Sequence, residues 1–140
     1  MDINYQNNKL YKNNLFITLE EAHIKPKIIL RKNKKKIYTL LMFDPDAIGG
    51  NKIHWLIVNI INDDISSGNT LIEYKGPTPP KGSGIHHYTF VLAEQIDFIK
   101  IDNIKFETRF IELKELFKKL GVNKKKFIPK VIKYFVSENK

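Results

Sequence analysis

Apolar positions in the first hundred residues come in short blocks separated by polar, glycine- or proline-bearing stretches. Ile37–Phe43, Ile53–Ile61 and His87–Ala93 are rich in β-branched and aromatic side chains, and each predicts a strongly buried strand. Weaker strands are predicted at Ile3–Tyr5 and, after the break at Pro26, at Lys27–Leu30. Between them, Arg31–Lys36 reads as a basic turn, Gly49-Gly50-Asn51 and Asn62–Asn69 as polar turns. The first strong strand ends at Asp44-Pro45-Asp46, because Pro45 has no amide to donate to a ladder. Gly76–Gly84 packs three glycines and three prolines into nine residues, which predicts a stiff, irregular loop.

The C-terminal third changes period. Phe110, Leu113, Leu116, Phe117 and Leu120 recur at helical spacing, with Thr108 as the expected N-cap and Gly121 as the stop. A second helix is expected from Phe127 or Ile128, since Pro129 suits a first turn, with Ile128, Val131, Ile132 and Phe135 on its apolar face. Strands first and helices last suggest an antiparallel sheet with helices packed on one side. A length of 140 residues suits one domain, residues 1–140.

Composition narrows the classes. The chain has no cysteine, which removes disulfides and thiolate metal sites from consideration. The longest apolar run, Trp55–Ile61, is interrupted by Asn59 and is far too short to span a membrane, and Met1–Leu10 lacks the apolar core of a signal peptide. The cytoplasm is therefore the expected compartment. The formal charge is +9, from 24 Lys+Arg against 15 Asp+Glu. A field of that sign favours phosphates, acidic lipid surfaces or nucleic acid. The lysines are spread over several segments, however, which is also what a solvated surface looks like. No zinc spacing or ribonucleoprotein signature supports nucleic acid.

Three polar clusters flank the strong strands: Asp44-Pro45-Asp46-Ala47, His54-Trp55 and His86-His87-Tyr88. Each sits where an apolar strand meets irregular backbone, the place where pockets form. Taken singly they are unremarked: Asp44 as a turn cap, His54 as a strand-edge histidine, Trp55 and Tyr88 as core. Together, if the strands are neighbours, they admit three readings. Imidazoles near a carboxylate, a phenol and loop amides can bind an anion. Two histidines and an aspartate can hold a metal. A His–Asp pair can act as a general base, although no Ser, Thr or Cys stands in a recognisable nucleophile motif.

The combination resembles the phosphatidylethanolamine-binding protein family, which includes the Raf kinase inhibitor proteins and the plant flowering regulators. One signature reads Tyr38 to Phe43, Asp44-Pro45-Asp46-Ala47, then His54-Trp55 through Asn59; the other runs from Gly76 through Pro79-Pro80, Gly82 and Gly84 to His86 and Tyr88. The Asp-Ile-Ser-Ser-Gly stretch within Asn62–Gly68 and the segment Phe127–Ile132 are also similar to family members, the latter to the C-terminal helix.

The resemblance implies a mainly β fold: a large antiparallel sheet packed on a smaller sheet, with C-terminal helices, one of them beside a ligand pocket. It implies an anion site lined by Asp44, His54, Pro80, His86 and Tyr88, with backbone from Gly76 and Thr78. His54 and His86 would donate to anion oxygens, Asp44 would orient an imidazole or meet an ammonium, and Tyr88 would donate its hydroxyl. The implied function is non-enzymatic binding of phosphate, phosphoethanolamine or a phospholipid headgroup. It needs no cofactor or metal, and it serves signalling through a kinase or protease partner. A metal-dependent or acid/base hydrolase using Asp44, His54 and His86 is the alternative. Departures cluster at the rim: Ile48 replaces a proline, the loop Gly49–Lys52 is short, Lys52 stands where animal members have an aromatic, and Ile132 where they have a pocket tyrosine.

Overall fold

The structure, a computed structural model, describes residues 1–31, 35–122 and 127–140. The centre of the basic turn expected at Arg31–Lys36 and the link expected between the two helices lie outside these residues. The described elements are β1 (Asp2–Tyr5), β2 (Asn8–Lys9), β3 (Leu15–Phe16), β4 (Lys27–Ile29), β5 (Ile37–Asp44), β6 (Lys52–Ile60), β7 (Asn69–Ile72), β8 (Ile85–Gln95), α1 (Leu113–Lys119) and β9 (Phe127–Glu138), with a 3-10 turn at Ile65–Ser67. β2-β1-β4 form a small sheet, and β3-β9-β8-β5-β6-β7 a large one. The large sheet is mixed, because β3 runs parallel to β9 while the other pairs are antiparallel.

The central strands β5 and β6 read as near-continuous apolar runs because both faces are covered. On the inner face, Leu40, Met42, Trp55, Ile57, Tyr88, Phe90 and Phe135 pack on Ile3, Tyr5 and Ile28 of the small sheet. On the outer face, Leu41, Ile53, Leu56 and Val58 pack with Leu116 and Leu120 from α1 and its flank. The β5–β6 connection is closed by Gly49 and Gly50, both at positive φ. The chain before α1 docks along the start of β6: Ile53 donates to the Arg109 carbonyl at 2.7 Å and Ile111 to the Asn51 carbonyl at 3.0 Å.

Two expectations are corrected. The second helix is instead strand β9, paired with β8 from Ile85↔Glu138 to Gln95↔Phe127. The spacing of Ile128, Val131, Ile132 and Phe135 mimics a helix, but these are β-branched and aromatic residues. The eleven-residue β8 also needs a partner on that edge. Pro129 sits at the register shift between Leu92 and Ala93, a bulge where a missing amide is tolerated. The first helix exists but is short. The Thr108 hydroxyl accepts from the Phe110 amide at 3.1 Å, closing a local turn, and Glu112 occupies the N-cap position. Gly121, at φ 70°, follows the helix as expected. No helix among the described residues is long and apolar enough to cross a membrane.

Candidate functional site

The end of β5, the start of β6 and the start of β8 lie side by side, and the Pro/Gly loop closes over them. Asp44, His54, Thr78, Pro80 and His86 line one cavity there, with Ala47, Ile48, Lys52, Pro79 and Phe110. Its volume is about 80 Å³, well below the roughly 300–1,000 Å³ of drug-sized sites, so it admits a small group. A larger cavity of about 420 Å³ lies on the outer sheet face between Phe43, Val91, Phe117 and Ile132, and no ionisable side chain lines it.

His54 is 1% exposed. Its Nδ1 lies 2.6 Å from the Lys75 carbonyl oxygen. A carbonyl only accepts, so Nδ1 carries the proton and Nε2 a lone pair. Nε2 has no hydrogen-bond partner among the described residues. Burial drives the imidazole pKa down to about 4; the Lys75 carbonyl opposes that, and the charges of Lys52, Arg109 and Lys75 reinforce it. His54 is therefore neutral at pH 7.

Asp44 and His86 form a second, closed unit. Asp44 Oδ2 accepts from His86 Nδ1 at 2.6 Å, and Asp44 Oδ1 accepts from the Asp46 amide at 2.8 Å. His86 Nε2 lies 2.9 Å from Ser83 Oγ, which is itself 2.7 Å from the Pro80 carbonyl. Both ring nitrogens and both carboxylate oxygens are thus engaged within the protein. The expected donation from His54 and His86 to an anion is corrected accordingly. The Nδ1–H of His54 is held by Lys75, and both nitrogens of His86 are held by Asp44 and Ser83.

Tyr88 stands behind the cavity, fully buried, its ring edge-on to His54 at 5.3 Å and stacked on His86 at 6.3 Å. Its hydroxyl has no partner among the described residues, and burial with the nearby Asp44 and Asp46 charges raises its pKa, so it keeps its proton. Gly76 is not in the lining. A Cβ there would lie 2.8 Å from the Ala22 carbonyl oxygen, so glycine allows close packing of this loop on residues 22 and 23. Ile132 is also elsewhere. It pairs with Val91 and faces the apolar outer cavity, 55% exposed, and no helix carries it to the anion cavity.

The rim holds Lys52, already marked as a departure from the family, together with residues the motifs do not show. Lys52 Nζ donates to Thr78 Oγ1 at 3.0 Å and lies 5.6 Å from the centre of the Phe110 ring. Burial, then Lys75 and Arg109, lowers its pKa. Phe110, expected on a helix, pairs with Lys52 through an isolated bridge and supplies an aromatic beside the cation. Arg109, one of two arginines in the chain, reaches the Ile53 and His54 carbonyls at 3.2 and 3.3 Å. Its only sequence signal is that rarity. Ser83 carries a weak one, three residues before His86 in the Gly82–Gly84 turn.

This arrangement has relatives. A family model described as phosphatidylethanolamine-binding protein matches residues 6–139. A Drosophila melanogaster protein named putative odorant-binding protein A5 is 35% identical over 96 residues, which is 64% of this chain and 46% of that protein. The match thus spans under half of that relative's length. A carboxypeptidase Y inhibitor, solved in complex with its cognate proteinase, superposes with TM-score 0.78 at 21% identity, covering 99% of this chain and 82% of that one. A phosphatidylethanolamine-binding protein from Plasmodium vivax superposes with TM-score 0.72 at 16% identity, covering 99% and 84%. Fold, signatures and family match agree: the chain belongs to the phosphatidylethanolamine-binding protein family.

Proposed function

We propose that the chain binds a small phosphate-like anion, free or as a phospholipid headgroup, in the cavity between His54 and His86, without catalysis. The observation that carries this is the small cavity lined by Asp44, Lys52, His54, Thr78, Pro80 and His86, with Lys52, Lys75 and Arg109 as cations around His54 and two buried, unpartnered polar atoms, His54 Nε2 and Tyr88 Oη, in its wall and behind it. Leaving such atoms unpaired costs about 1–3 kcal/mol each, which a polar ligand offsets. Asp44 lies in the same lining, its carboxylate held by His86 at 2.6 Å and by the Asp46 amide at 2.8 Å. In this reading Asp44 holds His86 in place, Thr78, Pro80 and Lys52 shape the mouth, Tyr88 supplies a hydroxyl from below, and Gly76 positions the loop. The cavity takes the headgroup alone; any acyl chain lies outside it, at a membrane surface or in a partner. Regulation of a protein partner, a protease or a kinase, completes the proposal; the carboxypeptidase Y inhibitor fold supports the protease class. Calorimetric titration with phosphoethanolamine tests the reading: micromolar to millimolar binding weakened by Lys52→Gln supports it, and no heat of binding overturns it.

One observation favours a second reading, an acid/base hydrolase. Ser83 Oγ, His86 Nε2–Nδ1 and Asp44 Oδ2 line up at 2.9 and 2.6 Å in serine–histidine–aspartate order. Against it, Ser83 does not line the cavity and its oxygen is also within 2.7 Å of the Pro80 carbonyl. Labelling of Ser83 by a fluorophosphonate, lost in Asp44→Asn, would promote this reading over binding alone. The metal variant has less support: of the imidazole and carboxylate atoms on Asp44, His54 and His86, only His54 Nε2 is uncommitted.

A further inference from the structure

We propose that the chain has a second, separate binding site: the cavity on the outer sheet face between α1 and β9 takes a neutral, apolar small molecule of on the order of fifteen heavy atoms.

The cavity exists because the outer face is only partly covered. The helix α1 has seven residues, and its Leu116 packs with Leu41, Ile53, Leu56 and Val58 from β5 and β6. The C-terminal segment, whose spacing also fits a helix, pairs as β9 and widens the sheet instead of lying on it. Phe43, Val91 and Ala93 are left as a floor. Leu113 and Phe117 of α1 form one wall, and Phe127 and Ile132 of β9 the other. The Phe117 and Phe127 rings come within 5.2 Å, so the two walls meet there. No lining residue is shared with the anion cavity. The neighbours Phe43 and Asp44 point to opposite faces of β5, one toward each cavity.

The lining fixes the class of ligand. Its polar side chains are Thr39 and Thr89, and none is ionisable. Thr39 Oγ1 donates to Gln95 Oε1 at 2.6 Å, and Thr89 Oγ1 to the His87 carbonyl at 3.3 Å. Both hydroxyl protons are thus committed within the protein. A confined water needs roughly two to four polar partners, so water is poorly held here. An apolar group that displaces such water gains affinity. A charged group would lose hydration with no counter-charge to meet. Size follows from the volume, about 420 Å³, against roughly 150 Å³ for an apolar cavity that takes benzene. Of the lining residues, only Pro129 and Ile132 are exposed. The mouth therefore offers far less surface than the roughly 800 Å² per partner of a stable protein interface.

The test is fluorescence titration of the whole chain with the neutral fluorophore N-phenylnaphthylamine, then displacement by dodecanol. The expected result is a saturable one-to-one enhancement that dodecanol reverses and phosphoethanolamine leaves unchanged. Ile132→Glu alters a position that is 55% exposed, so the fold is retained while a carboxylate stands at the mouth. It should weaken probe binding by about tenfold or more. Val91→Phe, which fills the floor, should weaken it too. Ile24→Glu, at an exposed position outside the lining, should leave it unchanged. Absence of enhancement overturns the proposal, as does full affinity in folded Ile132→Glu. Equal loss in Ile24→Glu overturns it in favour of non-specific surface binding, and displacement by phosphoethanolamine in favour of the anion cavity. A dimer in sedimentation that Ile132→Glu dissociates, with no probe bound, overturns it in favour of a second copy covering this face.

Discussion

Acidification should destabilise the fold through His54 specifically. In the unfolded chain the imidazole titrates near 6.5, whereas in the folded protein burial, helped by three neighbouring cations, holds it near 4. Between these values the unfolded state binds more protons than the native one, so stability is full above pH 6.5 and is lost as pH falls toward 4. At 1.36 kcal/mol per pKa unit, the loss by pH 4 is roughly 3 kcal/mol. That is a large part of the roughly 5–15 kcal/mol that holds a typical domain together. The assay is urea unfolding at pH 7 and pH 4, in phosphate-free buffer, of the unmodified chain and of His54→Gln. Carboxylates and the other three histidines titrate in both proteins, so the difference between the two pH dependences isolates His54. The variant should be less stable at pH 7 but lose roughly 3 kcal/mol less on acidification. Identical pH dependence in the two proteins would refute the reasoning, since it would mean that His54 takes a proton as easily folded as unfolded.

Three further outcomes follow from the geometry. Tyr88→Phe removes a buried, unpartnered hydroxyl, so the free protein should gain up to about 1 kcal/mol in urea unfolding while phosphoethanolamine binding weakens by about 0.5–1.5 kcal/mol. Gly76→Ala drives a methyl to within 2.8 Å of the Ala22 carbonyl and should cost about 1–3 kcal/mol of stability in the same assay. Ile132→Tyr sits on the outer face, away from the anion cavity, and should leave phosphoethanolamine affinity unchanged in calorimetry; a change beyond twofold would contradict the placement of β9.

The parts of the fold that the sequence makes legible are those set by local burial. β5, β6 and β8 announce themselves because each is apolar on both faces or alternates cleanly, and the turns between them carry glycine or proline. β9 is not legible, because its apolar spacing fits a helix as well as a strand. What decides is the unpaired edge of β8, a residue-by-residue partnership across some forty positions. The same division holds at the site. Asp44, His54 and His86 converge because motif and strand order bring them together. The chemistry of each ring is fixed by remote groups: the Lys75 carbonyl sets the His54 tautomer, and Ser83 and Asp44 occupy His86. Phe110 reaches the rim through a bridge to Lys52, which no local pattern encodes. Residue types and spacing therefore point to an anion site, while which atoms donate and which accept emerges only from the folded backbone.

The central claim is that an anion meets His54 in this cavity. The most direct measurement is long-range ¹H–¹⁵N correlation of the histidine rings during titration with phosphoethanolamine at pH 6. The account predicts that free His54 shows a protonated Nδ1 and a bare Nε2, and that saturating ligand moves the Nε2 resonance of His54 while exposed His23 stays fixed. A His54 ring that is doubly protonated before ligand is added, or an Nε2 signal that does not move at saturation, would contradict it.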